Sequence, residues 1–123
     1  MRFGQLEKWA ATAVEAVIRK LPPDVREAAR AVTVHCEREP DATVLAEGFE
    51  SDLLGLFQGA PRDADPGGGD LRPPQIILYL PSLWAYAEED ADGYKEEVRV
   101  TYLHELGHYL GWDEGQVTAR GLD

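Results

Sequence analysis

A short apolar run places the strongest limit on the fold of this chain. Residues 75–80 read QIILYL, with Pro74 before the run and Pro81 directly after it. The run is nearly continuous, without the alternation of polar and apolar side chains that a half-exposed strand has. Such strands are typically buried on both faces. We therefore predict a strand here that ends at Pro81 and is covered on both sides.

Other segments predict helices and further strands. Predicted helices cover residues 5–21, 23–31, 82–91, 92–111 and 114–121, and predicted strands cover residues 31–37 and 53–58. Residues 38–52 are polar and predict irregular structure, and residues 61–74 hold four Pro and three Gly, which is typical of a loop. This order predicts a single α+β domain over residues 1–123. We expect a small mixed sheet of about three to four strands, packed against the N-terminal helix and the motif-bearing helix described below.

The charge of the chain excludes some classes of partner. The 123 residues include 12 Lys and Arg against 23 Asp and Glu, which gives a formal net charge of −11. Nucleic acids and anionic membranes attract clustered basic side chains, so we expect neither as a partner. The single Cys cannot form an internal disulfide. No uncharged apolar segment has the length of a signal peptide or a membrane span, so we expect a cytoplasmic protein.

One pentapeptide carries the clearest chemical signal. His104-Glu105-Leu106-Gly107-His108 has the pattern H-E-x-x-H and lies in the predicted helix 92–111. Side chains at i and i+4 lie about 40° apart around a helix, so the two imidazoles could bind one Zn²⁺. Glu105 lies about 100° further round, where it could reach a water on the metal. The motif predicts one zinc ion per chain, with the two histidines as ligands and Glu105 as general base.

The residues after the motif supply a stop for the helix and a third ligand. Gly111 comes three residues after His108, and glycine commonly ends a helix in the left-handed conformation. Glu114 occupies the position of the third histidine in sites of the H-E-x-x-H-x-x-G-x-x-H type, and zinc also accepts carboxylate oxygens. We predict Glu114 as the third ligand on this spacing. Asp113, one residue earlier, is the alternative that the spacing leaves open.

The helix that carries the motif has two predicted faces. The core face comprises Val98, Tyr102, Leu103, Leu106, Tyr109 and Leu110, and the metal-facing side comprises Val100, Thr101, His104, His108 and Gly111. Elsewhere, we predict that His35 is a packed, hydrogen-bonded strand residue and that Cys36 is a small buried one. Among the tyrosines, Tyr79 is the one best placed by its position at a strand end to stabilise an oxyanion. The substrate-binding residues cannot be predicted.

Three blocks of the chain resemble a known family. Residues 53–59 (LLGLFQG), residues 74–79 (PQIILY) and residues 101–114, which contain the histidine motif, are similar in content and order to the minimal zincins. These are small bacterial metallopeptidase-like proteins. Because the only methionine is Met1, the chain lacks the Met-turn of the metzincins. The resemblance implies a single zincin-like domain, one bound metal and a peptidase-like role.

The sequence therefore predicts a zinc-dependent metallopeptidase-like hydrolase. Water activated by the metal would attack a peptide or amide bond, and Glu105 would accept its proton. A peptide or protein would be the substrate. The alternative is a zinc-binding regulatory or binding module without turnover, because so small a chain has little wall for a deep specificity pocket. The oligomeric state and the identity of the substrate do not follow from the sequence.

Overall fold

The computed structural model describes residues 1–63 and 72–112 of the chain. In chain order the elements are α1 (Phe3–Lys20), α2 (Pro23–Arg30), β1 (Thr33–Glu37), α3 (Ala42–Ala46), β2 (Gly55–Gln58), β3 (Gln75–Tyr79), α4 (Leu80–Tyr86) and α5 (Ala91–Leu110). The helix predicted at residues 114–121 lies outside the described residues. No helix within the two described ranges has the length and apolar character that crossing a membrane requires.

The apolar run forms β3, the central strand of a three-stranded sheet. The strand order is β1-β3-β2, with β1 parallel and β2 antiparallel to β3. Side chains alternate along a strand, so Ile76 and Leu78 point to one face of the sheet and Ile77 and Tyr79 to the other. All four are buried. The predicted burial on both faces is confirmed, and so is the α+β class with a small mixed sheet.

Helices α1, α4 and α5 pack together on one side of this sheet. Their contact includes an aromatic cluster, in which the Trp9 ring lies 6.1 Å from that of Trp84 and 6.2 Å from that of Tyr94. The buried Tyr94 hydroxyl donates a hydrogen bond to the carbonyl oxygen of Leu6 at 2.8 Å. This bond satisfies a polar group that would otherwise destabilise the core. The cluster ties α5, which carries the histidine motif, to the N-terminal helix.

The segment predicted to be irregular, residues 38–52, contains the short helix α3. The Asp41 side chain accepts a hydrogen bond from the Val44 backbone N–H at 2.9 Å, which is the geometry of an N-cap. Among the five helical residues only Val44 is buried. A helix of this length carries no periodic apolar pattern, so its capping residue is the only signal that the sequence offers.

Helix α4 also differs from its predicted bounds. It begins at Leu80, directly after β3, and ends at Tyr86, whereas the sequence predicts a helix over residues 82–91. Pro81 ends the strand as predicted, but it also fits the first turn of a helix, where no N–H is needed. The remaining elements within the described ranges lie within two residues of their predicted bounds.

Candidate metal centre

The H-E-x-x-H motif lies near the C-terminal end of α5, and the helix ends at Leu110, two residues after His108. Gly111 has a φ of 74°, in the left-handed region, and caps the helix. The N–H of Trp112 donates to the carbonyl oxygen of Gly107 at 2.9 Å, and the N–H of Gly111 donates to that of His108 at 3.2 Å. These bonds satisfy carbonyl groups that the helix end leaves without partners. The predicted role of Gly111 as the helix stop is confirmed.

The two histidines of the motif share one exposed side of α5. The ring centroids of His104 and His108 lie 5.1 Å apart, with an angle of 64° between the ring planes. Both residues are exposed, although most of the last three turns of the helix is buried. Two imidazoles with this spacing and exposure can approach one ion from the same side.

Glu105 lies beside the histidines but is buried. The residue is only 8% exposed, and its Oε1 atom lies 3.3 Å from Nδ1 of His108. Burial raises the pKa of the Glu105 carboxyl above its usual value, while His108, His104 and a hydrogen bond from the Phe57 backbone oppose the shift. A carboxyl group whose pKa lies above its usual range holds a proton more readily than an exposed one. This property suits a group that must accept a proton and release it again.

A glycine in β2 allows α5 to come close to the sheet. A Cβ atom at Gly55 would lie 2.6 Å from Cγ2 of Thr101 and 3.2 Å from the carbonyl oxygen of Ile77. Further along the same pair of elements, the Phe57 ring packs against that of Tyr109 with centroids 5.8 Å apart. The LLGLFQG block is therefore the surface on which the motif helix rests.

The outer side of β2 faces the buried carboxylate. The N–H of Tyr79 donates to the carbonyl oxygen of Leu54 at 3.0 Å, so alternate residues of β2 direct their backbone groups toward β3. The intervening residues, Gly55 and Phe57, direct theirs toward the open edge of the sheet, the edge with which no strand in residues 1–63 and 72–112 pairs. The Phe57 backbone reaches Glu105 from this edge. This role of a backbone group could not be predicted from the identity of residue 57, and the glycine at position 55 is the one sequence feature that accompanies it.

The predicted division of α5 into two faces is correct for the core but wrong for one residue. All six residues of the predicted core face are buried. Thr101, predicted on the metal-facing side, is only 8% exposed and packs under β2. The helical projection placed it correctly around the axis, but it could not show that an edge strand covers part of that side. Val100 is exposed, as predicted.

The predicted packing of His35 is wrong, and the structure does not favour Tyr79 as an oxyanion-stabilising residue. His35 is exposed rather than packed, with the Thr33 hydroxyl 3.4 Å from its Nε2 atom. Tyr79 is fully buried, and burial raises its pKa to about 12. Its side chain lies on the face of the sheet opposite to Leu78 and to α1, α4 and α5, so it does not face the motif. Cys36 is half-buried, and Tyr102 and Tyr109 pack in the core as predicted.

The third metal ligand is not tested by the structure. Glu114 and Asp113 both lie outside the described residues. Within residues 1–63 and 72–112, no three His, Cys, Asp or Glu side chains converge as a complete metal site requires. His104 and His108 lie where two predicted ligands should be, and the assignment of all three ligands stays a prediction.

The small mixed sheet with the motif helix packed on one face is consistent with a zincin-like domain. The family model for zincin-like metallopeptidases matches residues 29–122, and the chain belongs to this family. The match covers all three strands and the whole of α5. The resemblance to zincins stated from the sequence is thereby confirmed. A comparison with curated proteins found no match.

Proposed function

We propose that this chain is a zinc-dependent metallopeptidase-like hydrolase that cleaves a peptide or amide bond. In this proposal His104 and His108 bind the metal, Glu114 or Asp113 completes the ligand set, and Glu105 is the general base. The observation that carries the proposal is the setting of Glu105, a buried carboxylate beside two exposed imidazoles on one helix. Carboxyl groups with raised pKa values next to such partners are typical of catalytic sites.

The donor set fits Zn²⁺. Imidazole nitrogen and carboxylate oxygen are both common zinc ligands. Because Nδ1 of His108 lies against Glu105, the Nε2 atom of that ring is left for the metal. A carboxylate at the second ring nitrogen is a common means of orienting a zinc-binding histidine. When bound, zinc would polarise the scissile carbonyl group and lower the pKa of a coordinated water.

Glu105 would transfer the proton during the reaction. Its carboxylate accepts a proton from the attacking water and delivers it to the departing amine, so that the amine leaves as a neutral group. The raised pKa of Glu105 favours the protonated form between these two steps. The contacts with His108 and with the Phe57 backbone hold the carboxylate in one place, which lowers the entropic cost of the transfer.

The open edge of β2 supports a peptide as the substrate. The backbone groups of Gly55 and the carbonyl group of Phe57 are directed outward beside α5. An extended peptide can add to such an edge through main-chain hydrogen bonds, whatever its side chains are. A peptide bound in this way would run past Glu105.

Substitution of the general base tests this proposal. The Glu105→Gln variant should retain zinc, measured by elemental analysis, and lose cleavage of a peptide library by about 10²–10⁴-fold. Glu97→Gln is the matched control, because it makes the same change two turns earlier on α5. It should retain both zinc and activity. His104→Ala should lose the metal.

Two outcomes would count against catalysis by this site. If Glu105→Gln cleaved peptides as fast as the wild-type protein, the role of Glu105 would be wrong. If the wild-type protein bound one zinc ion per chain and cleaved no member of the library, the predicted alternative, a zinc-binding module without turnover, would be supported instead.

A further inference from the structure

The sheet has a second edge, at β1, on the side away from the motif, and no strand of the described residues pairs with it. The N–H of Thr33 donates to the carbonyl oxygen of Pro74 at 3.4 Å. In the parallel register this directs the backbone groups of Thr33, His35 and Glu37 toward β3. The backbone groups of Val34 and Cys36 are therefore directed outward. Such an edge is a template for an added strand.

A groove runs between this edge and the flank of α1. It has a volume of about 700 Å³ and is lined by Gly4, Glu7, Lys8 and Ala11 of α1 and by residues 34–37 of β1. The helix flank leaves this space because two of its lining residues are glycine and alanine. A side chain of an added strand could therefore lie between the helix and the strand edge without displacing either.

The floor of the groove is apolar apart from Glu15, whose carboxylate accepts hydrogen bonds from Arg30. A deeper cavity of about 230 Å³ shares Ala11, Val34 and Cys36 with the groove and reaches Val14 and Leu78. This volume accommodates one aliphatic side chain, and burial of such a side chain contributes about 1.5–3 kcal/mol to stability or binding. The groove thus combines main-chain hydrogen-bonding groups with a pocket for one apolar side chain.

The charges on the groove favour a basic occupant. Glu7 and Glu37 line it, and within the described residues neither carboxylate forms an ion pair. Lys8 is the one opposing charge among the lining residues. A second copy of the chain would bring another net charge of −11 to the same edge. Like-charge repulsion disfavours that pairing, whereas a positively charged segment is attracted.

We propose that this groove binds an extended, basic segment of a partner protein, which adds to the sheet as a strand beside β1. Alternate side chains of the segment point toward α1 and fill the apolar floor, and the intervening Lys or Arg side chains lie beside Glu37. The site lies at the opposite edge of the sheet from Glu105 and does not depend on a metal. It would hold the partner without taking part in the reaction.

The test uses a defined peptide, acetyl-KVKLKVK-amide, and hydrogen exchange of the wild-type protein. The peptide should bind saturably and slow the exchange of the Val34 and Cys36 amides, because these N–H groups would become hydrogen-bonded. Mass spectrometry checks that the peptide stays intact, and the readout requires neither zinc nor turnover. If the peptide does not bind, the proposed catalytic function is not contradicted. If the protein has no catalytic activity, the proposed binding to β1 is not contradicted.

Matched variants and peptides separate the contributions of groove shape, charge and main-chain hydrogen bonds to binding. Ala11→Trp should fill the groove and abolish binding, whereas Ala16→Trp, at an exposed alanine of α1 outside the groove, should bind normally. Reversal of both Glu7 and Glu37 to Lys should weaken binding by about tenfold or more. The control reverses two exposed carboxylates elsewhere, Glu27 and Glu50, and should have a much smaller effect. A peptide with N-methylated amides at alternate positions should not bind.

Several results would overturn the proposal. These are no saturable binding up to about 1 mM peptide, equal binding of the acidic peptide acetyl-EVELEVE-amide, and protection of Gly55 and Phe57 in place of Val34 and Cys36. Equal binding by Ala11→Trp would also exclude the groove. A dimer in sedimentation analysis that Ala11→Trp dissociates would show that a second copy occupies the edge instead.

Discussion

The two outer strands of the sheet meet their neighbouring helices in opposite ways. At β2, Gly55 brings the strand so close to α5 that a Cβ atom would lie 2.6 Å from the Thr101 side chain. At β1, the glycine on the facing helix flank is Gly4, and a Cβ atom there would meet no described atom within 4 Å beyond its chain neighbours and the backbone of its own helix. The chain therefore uses one glycine to close a contact, whereas the other lines an open groove.

Carboxyl groups near the two edges have pKa values that are shifted in opposite directions. Burial raises the pKa of Glu105 beside β2. On α1, hydrogen bonds from Arg30 lower the pKa of Glu15 to about 2, with a further contribution from Arg19. The surroundings of Glu105 disfavour its charged form, which is typical of reactive sites. The surroundings of Glu15 favour its charged form. The β2 edge therefore combines a close helix–strand contact with a desolvated carboxyl group.

The largest expected effect comes from closing the space at Gly55. Gly55→Ala should destabilise the protein by about 1–3 kcal/mol, because the new methyl group overlaps Thr101 and the sheet backbone. Gly4→Ala makes the same change on the exposed flank of α1 and should instead stabilise the protein by about 0.5–1 kcal/mol. Urea unfolding of both variants measures the difference.

A double mutant tests whether Thr101 is the cause. In the Thr101→Ala background, the overlapping Cγ2 atom is absent, so Gly55→Ala should cost less free energy of unfolding than it does in the wild-type protein. An equal cost in both backgrounds would mean that the close approach of α5 and β2 does not explain why position 55 is glycine.

Much of the fold could be predicted from the sequence because its signals are local. The apolar run of β3, the amphipathic pattern of α1 and the Gly111 stop each depend on a few consecutive residues, and each is confirmed. The helix α3 could not be predicted in this way, since five residues carry no periodicity. The burial of Thr101 was also missed, because it depends on a strand that lies more than forty residues away in the chain.

In the candidate site, too, local sequence signals predict some features and not others. The spacing of His104 and His108 predicted that they share one side of a helix, and the structure places them there. The contact of Glu105 with the Phe57 backbone could not be predicted, because a main-chain group leaves no mark on the identity of its residue. The exposure of His35 was mispredicted because β1 lies at the edge of the sheet, and sequence alone does not give the strand order.

A smaller effect is expected from removing the buried charge at the β2 edge. In metal-free protein, Glu105→Gln should stabilise the fold by about 1 kcal/mol at neutral pH. The pKa of Glu105 is raised in the folded state. The free energy of unfolding of the wild-type protein therefore falls as the pH rises from 4.5, the pKa of this group in the unfolded chain, toward its pKa in the folded chain. The gain should therefore vanish below pH 4.5. Thermal unfolding of both proteins across this range measures it, and a gain that persisted in acid would contradict the assignment.

The smallest effect is expected at Glu15, whose ion pairs lie near the β1 side of the molecule. The carboxylate accepts hydrogen bonds from Arg30 at 2.7 and 2.8 Å and from Arg19 at 3.2 Å. Because its pKa is lowered in the folded state, the stabilisation is present above the unfolded value of 4.5 and is lost as pH falls toward about 2. Glu15→Gln should thus lower the melting temperature slightly at neutral pH and leave it unchanged near pH 2. Since the pairs are exposed, added salt should reduce the difference.

The control is Glu27→Gln, a change at an exposed carboxylate of α2 that forms no ion pair among the described residues. It should show neither the pH dependence nor the salt dependence. If the two variants behaved alike, the contrast between the carboxyl groups at the two sides of the sheet would rest on Glu105 alone.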